Sequence, residues 1–101
     1  MMNFSRYIAK RYGSKNVRML SGVSGIYILV AKDCIDYIGR SINIGRRLGA
    51  SHHVFDPSIH EQVIVIEEPD QRKLIHLETA LICQYNPPKN GGHRGKKWNE
   101  I

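Results

Sequence analysis

Two short β-rich tracts, separated by a few polar residues, restrict the fold more than any other part of this sequence. Residues 25–30 (GIYILV) and 35–39 (IDYIG) are rich in β-branched and aromatic side chains. Residues 31–33 (AKD) between them suit a short hairpin loop. If the loop is centred on Lys32, Tyr27 lies directly opposite Tyr37 on the same face, with Cβ atoms about 5 Å apart. Such a pair is most often a packing contact between two strands.

A third strand and a basic N-terminal helix are also expected. Residues 63–66 (VIVI) show no alternation of polar and apolar side chains, which predicts a strand covered on both faces. Within residues 4–12, Phe4, Tyr7, Ile8 and Arg11 have helical spacing, which predicts a short basic amphipathic helix that either packs on the core or serves as a binding arm. The predicted fold class is α+β, a small antiparallel three-stranded sheet flanked by helices.

A short helix is expected over residues 41–48, with its N-cap at Ser41 or Asn43. Ile44 and Leu48 are four residues apart and should form its buried side. Residues 49–57 after it have the composition of a loop.

A longer helix is expected over about residues 69–85, because Pro69 and Asp70 suit a helix start and two prolines follow the end. Glu78 falls in its apolar stripe, four residues after Leu74 and four before Ile82. A carboxylate at such a position is costly to bury unless it meets a cation or a metal ion. Both a structural ion pair with an arginine and a metal site therefore remain open.

Positive charge is concentrated at the two ends of the chain. The 101 residues carry a formal charge of +6, and residues 1–20 contain five basic residues and no acidic one. This favours a polyanionic partner such as nucleic acid, although it is also compatible with a generally basic protein. We divide the chain into a basic extension (residues 1–20), a central domain (21–90) and a basic tail (91–101).

The sequence also argues against secretion and membrane insertion. The first 15 residues do not form a leader, the two cysteines do not make a disulfide framework, and the longest apolar runs are far too short for a bilayer. We expect a cytoplasmic protein. The five histidines and two cysteines follow no usual zinc-ligand spacing.

Two tripeptides and three single residues follow one another in an informative order. Residues 25–27 read Gly-Ile-Tyr and residues 37–39 read Tyr-Ile-Gly, with nine residues between them. Arg47 comes ten residues after Tyr37, and Glu78 is followed twelve residues later by Asn90. In this order and spacing the sequence resembles the GIY-YIG nuclease family, and the resemblance covers residues 24–90.

The resemblance implies a divalent-metal-dependent endonuclease that hydrolyses phosphodiester bonds in DNA. It implies that Tyr27 is the general base that activates water and that Tyr37 orients the first phenol or the water. Arg47, selected over its neighbour Arg46 by spacing alone, would stabilise the transition state. Glu78 would be the one protein ligand to Mg²⁺ or Mn²⁺.

Two further site positions rest on the same resemblance. Asn90 would position a phosphate or brace the tyrosine pair. Many members of the family have a histidine shortly after the catalytic arginine, and here either His52 or His53 would serve as a second base or phosphate contact.

Substrate binding and specificity would come from elsewhere in the chain, because it has no room for a separate DNA-binding domain. Specificity is expected from the basic ends, from residues 49–62, from weak dimerisation or from a partner protein. Trp98 could stack on a base or cover the core, and we favour the core. The nucleic-acid contacts are expected to be basic: Arg40, Arg46, Lys89, Arg94, Lys96 and Lys97.

Two other functions remain as alternatives to a DNA endonuclease. One is a non-catalytic nucleic-acid-binding module or accessory subunit that keeps the nuclease fold. The other is a nuclease for RNA or branched DNA.

Overall fold

A computed structural model of the chain describes residues 7–50 and 53–98. It contains four strands and two α-helices, in the order β1 (Ala9–Gly13), β2 (Gly25–Ala31), β3 (Cys34–Ser41), α1 (Ile44–Leu48), β4 (Gln62–Glu67) and α2 (Gln71–Tyr85). Short 3₁₀ helices lie at Ser14–Leu20 and Pro88–Asn90. The four strands form one antiparallel sheet in the order β1-β4-β2-β3. The α+β class is confirmed, and the expected count of three strands is wrong by one.

The additional strand, β1, overlaps the helix that the sequence predicted over residues 4–12, of which residues 4–6 lie outside the described part of the chain. Residues 9–13 pair with β4, and Tyr12 reaches the core while Lys10 and Arg11 stay exposed. The helix prediction was wrong for residues 9–13. Without them β4 would have an unpaired edge, and pairing satisfies the backbone N–H and C=O groups of that edge. A short helix, by contrast, is only marginally stable by itself. Exposed basic side chains are well suited to such an edge strand.

The two central strands are buried on both faces. Ile64 and Ile66 of β4 belong to a cluster with Leu74, Leu77 and Leu81 of α2 on one face of the sheet. Val63 and Val65 belong to a second cluster, with Leu20, Ile44 and Leu48, on the other face. The absence of alternation in residues 63–66 is thereby explained, and the prediction of a doubly covered strand is confirmed.

Both helices begin with a side-chain cap. Asn43, one of the two predicted caps, accepts a hydrogen bond from Arg46 N, and Ile44 and Leu48 are buried as predicted. Asp70 accepts hydrogen bonds from the backbone N–H groups of Arg72 and Lys73 at the start of α2. In the described part of the chain, no helix is long and apolar enough to cross a membrane.

The segment after α2 returns to the sheet and covers the outer edge of β3. The backbone N–H of Ile35 donates to the Lys96 carbonyl at 2.8 Å, and Cys34 pairs with Lys97 in an isolated bridge. The Trp98 ring stacks on Tyr85, with ring centroids 5.3 Å apart. Trp98 therefore packs against the core.

Candidate functional site

A β-bulge in β3 sets the geometry of the tyrosine pair. Leu29 pairs with Tyr37 and the next residue, Val30, pairs with Ile35, so Asp36 has no partner on β2. Tyr27 consequently lies opposite Gly39, and the predicted direct pairing of Tyr27 with Tyr37 is wrong. The hairpin turn contributes to this difference, because it has two left-handed residues, Lys32 and Asp33, instead of a three-residue loop.

The two phenols nevertheless share a face, as expected. The bulge leaves Ile35 and Ile38 both on the α2 side of the sheet, and it turns Asp36 and Tyr37 to the opposite side. The rings of Tyr27 and Tyr37 are 6.1 Å apart and tilted by 35°.

Two glycines of the tripeptides allow close approaches. A Cβ on Gly39 would collide with the phenol of Tyr27, whose ring lies across that position. A Cβ on Gly25 would collide with the Ile66 carbonyl of the neighbouring strand. Gly39 thus lets the Tyr27 hydroxyl reach the β3 edge of the sheet.

At that edge, side chains from four elements line one small cavity of about 320 Å³. Every lining residue carries a polar or charged group: Tyr27 from β2, Tyr37 and Arg40 from β3, Arg47 from α1 and Glu78 from α2. The positions that the sequence singled out across 52 residues are therefore neighbours in space.

Arg47 and the phenol of Tyr27 line the same cavity, and the two groups affect each other's pKa. Burial raises the pKa of Tyr27 above its usual value of about 10, and the hydrogen bond and charge of Arg47 oppose that rise only in part. The same hydrogen bond raises the pKa of Arg47. Tyr27 is therefore a neutral phenol at neutral pH, and Arg47 is a fixed cation beside it.

Glu78 faces the cavity instead of the core. Its Oε1 accepts a hydrogen bond from Arg40 Nε at 3.0 Å, and the side chains of Arg40 and Glu78 are 47% and 22% exposed. Glu78 therefore has an arginine partner, one of the two possibilities raised by the sequence, and it also lines the cavity.

His53 packs edge-on against both tyrosines, with ring centroids 5.3 Å from Tyr27 and 5.8 Å from Tyr37. Burial lowers its pKa, and the charge of Arg47 lowers it further. Its Nε2 is buried without a hydrogen-bond partner among the described residues. His53 is therefore a neutral imidazole with an unused ring nitrogen. His52 lies outside the described residues, so its place in the site stays a prediction.

Asn90 supports the edge strand. Its Oδ1 accepts from Ile38 N at 2.8 Å, and its Nδ2 donates to Ile38 O at 2.9 Å. Both polar ends of the side chain are thus engaged by the backbone next to Tyr37. Of the two roles left open for Asn90, this geometry corresponds to bracing the tyrosine pair.

The predicted nucleic-acid contacts separate into two groups. Arg40 is the partner of Glu78, and Arg46 lines a groove next to the cavity. The other four are exposed after α2: Lys89, Arg94, Lys96 and Lys97.

The structure also contains a pair that was not expected from the sequence, the half-buried Asp36 and the buried His60. His60 is fully buried, its Nε2 lies 2.7 Å from Asp36 Oδ2, and its Nδ1 accepts a hydrogen bond from Asp56 N. Nδ1 therefore holds a lone pair, and Nε2 carries the proton that is donated to Asp36. Phe55 stacks on the same ring. This pair fastens residues 53–60 to the bulge, and only the bulge brings Asp36 to that side.

We expect Asp36→Ala to release this loop. The variant leaves the buried His60 N–H unsatisfied, which should lower the free energy of unfolding by about 1–3 kcal/mol. Asp36→Asn keeps an acceptor oxygen and should stay within about 1 kcal/mol of the wild type. As the loop loosens, the pKa of His53 should rise toward its usual value in Asp36→Ala only, which proton NMR titration would measure. Equal behaviour of both variants would contradict this role.

The donor set permits only one kind of metal site. Among the described residues, no group of three or more His, Cys, Asp or Glu side chains could hold a metal ion. Glu78 alone offers a hard carboxylate oxygen at the polar cavity, which fits Mg²⁺ or Mn²⁺ held mainly by water and substrate oxygens. It does not fit a structural zinc ion.

Comparisons with protein-family models, with curated proteins and with solved structures found no match for this chain.

Proposed function

We propose that this protein is a divalent-metal-dependent endonuclease that hydrolyses phosphodiester bonds in DNA. One observation carries the proposal: Tyr27, Tyr37, Arg47 and Glu78 all line the same polar cavity. These are the residues to which the resemblance to GIY-YIG nucleases assigns the chemistry. The two free cysteines agree with a cytoplasmic protein.

Each polar group of the cavity has a step to perform. Arg47 neutralises the charge that develops on the phosphate oxygens in the transition state. The Tyr37 hydroxyl orients the phenol of Tyr27, which in its phenolate form would hold the attacking water and take its proton. His53 is neutral and adjacent to both phenols, so it is available as a second proton acceptor.

Tyr27 needs help to act as a base, because burial favours its neutral form. Arg47 already opposes this effect. A Mg²⁺ or Mn²⁺ ion held by Glu78 would add positive charge to the cavity, favouring the phenolate and stabilising the leaving oxygen. The proposed reaction therefore depends on the metal at the step that activates water.

A specific observation favours the non-catalytic alternative. Arg40 pairs with Glu78, so the carboxylate is neutralised without a metal ion. In a nucleic-acid-binding module that keeps the nuclease fold, the ion pair with Arg40 would be enough to accommodate Glu78. The two functions differ in whether a metal ion produces cleavage.

Incubation with supercoiled plasmid in Mg²⁺, Mn²⁺ or EDTA tests the proposal. Each chain has one set of motif residues, so we expect open circles to accumulate before linear DNA, in Mg²⁺ or Mn²⁺ and not in EDTA. Plasmid that is bound but uncut in both metals would support the binding module. We expect a monomer or a weak dimer. Linear DNA that forms at nanomolar enzyme without a nicked intermediate would contradict this expectation and indicate a pre-formed dimer. Preferential cleavage of RNA would contradict DNA as the substrate.

A further inference from the structure

A second depression of about 450 Å³ adjoins the cavity on the side of α1. It is lined by Ile42, Arg46 and Arg47, together with small residues of the turn and helix, and we call it the α1 groove. Arg47 lines both the cavity and the groove, so the two depressions are neighbours. The volume of the α1 groove lies within the range of about 300–1,000 Å³ that is usual for ligand pockets.

The turn that forms one wall of the groove is held by side-chain hydrogen bonds. Asn43 N donates to Ser41 Oγ at 3.0 Å. Asn43 Oδ1 accepts from Gly22 N at 2.9 Å and from Arg46 N at 3.1 Å. These contacts tie the turn to α1 and to the segment before β2, so the position of Ile42 is fixed by its surroundings.

Ile42 is 64% exposed on this fixed turn. A single exposed isoleucine is ordinary on a protein surface, but this one lines the same groove as Arg46 and Arg47. An apolar side chain next to guanidinium groups is complementary to a nucleotide, which presents an apolar sugar and base edge next to an anionic phosphate.

We propose that the α1 groove binds the DNA nucleotide next to the scissile phosphate, with its sugar and base against Ile42 and its phosphate on Arg46. This inference rests on the proposed function, because it takes the cavity as the place of cleavage. Arg47 would then separate the phosphate that is cut from the one that is only bound. Arg46 and Arg47, adjacent in sequence, would serve binding and chemistry respectively.

Binding of a short labelled DNA duplex in EDTA, followed by fluorescence anisotropy, tests the groove without requiring cleavage. Ile42→Ala should raise the Kd about 10-fold without changing the slope of log affinity against log salt. Arg46→Ala should also weaken binding and should flatten that slope by about 0.9. The matched control is Ile75→Ala, a residue of α2 that is 46% exposed and outside both depressions; its Kd should stay within about twofold of the wild type.

Several outcomes would overturn the groove as a DNA site. These are an Ile42→Ala variant that binds like Ile75→Ala, an unchanged salt slope in Arg46→Ala, or no binding of the wild type. Tighter binding of an RNA duplex of the same sequence would overturn DNA as the occupant. If plasmid stays uncut but Ile42→Ala weakens DNA binding, the nuclease proposal is contradicted and the groove is still a DNA site. If plasmid is cut but Ile42→Ala binds DNA normally, only the groove is rejected.

Discussion

We expect Glu78→Ala to lose metal-dependent DNA cleavage by about 10³-fold or more, because it removes the carboxylate proposed to hold the ion that activates water. Cleavage in Mg²⁺ and Mn²⁺ would be measured as the initial rate of plasmid nicking. DNA binding in EDTA should not fall, since the substitution removes a negative charge near the substrate.

Stability separates this effect from unfolding. The ion pair that Glu78 makes with Arg40 is partly solvent-exposed, so its loss should change the free energy of unfolding by less than about 1 kcal/mol. Glu78→Gln preserves the shape of the side chain and should be equally inactive. Glu67→Ala, which removes an exposed acid at the end of β4, is the matched control and should cut normally. Near-normal cleavage by Glu78→Ala in Mg²⁺ would show that Glu78 is not the metal ligand.

Arg47→Ala should lower kcat for cleavage by about 10²–10³-fold, the usual effect of removing one preorganised donor to a transition-state oxygen. Arg47→Lys should recover little of this loss, because a lysine cannot present the planar fork of donors. The pKa of Tyr27 should rise further in Arg47→Ala, since Arg47 is the group that opposes the effect of burial. Ultraviolet absorbance of the phenolate would follow that change.

The adjacent Arg46 provides the comparison. Arg46→Ala should act mainly on KM, because Arg46 lines the groove while Arg47 also lines the cavity. A larger loss of kcat in Arg46→Ala than in Arg47→Ala would reverse the two assignments. A single-turnover assay at saturating enzyme separates the chemical step from binding.

Patterns of local origin were read correctly from the sequence. Residues 63–66 lack alternation because they are covered on both faces, and Asn43 and Asp70 cap their helices as their side chains allow. Such features depend on neighbouring residues, and neighbouring residues are visible in the chain.

The errors lie where a distant segment decided the outcome. Residues 9–13 became a strand because β4, about 50 residues later, offered an unpaired edge. Glu78 was expected to meet either a cation or a metal ion, and it pairs with Arg40 of β3 at the rim of the cavity. Its position on the helix was visible in the sequence, but its partner was not.

By itself, the sequence determined the α+β class, the hairpin, the main helix and the set of residues that resemble a nuclease site. The tertiary structure alone decided that Asp36 would be a bulged residue, that His60 would fasten the loop beside His53, and that Ile42 and Arg46 would extend the cavity. The physical reason is that periodicity and capping act over a few residues, whereas a bulge, a buried hydrogen bond and a groove exist only once separate elements pack together.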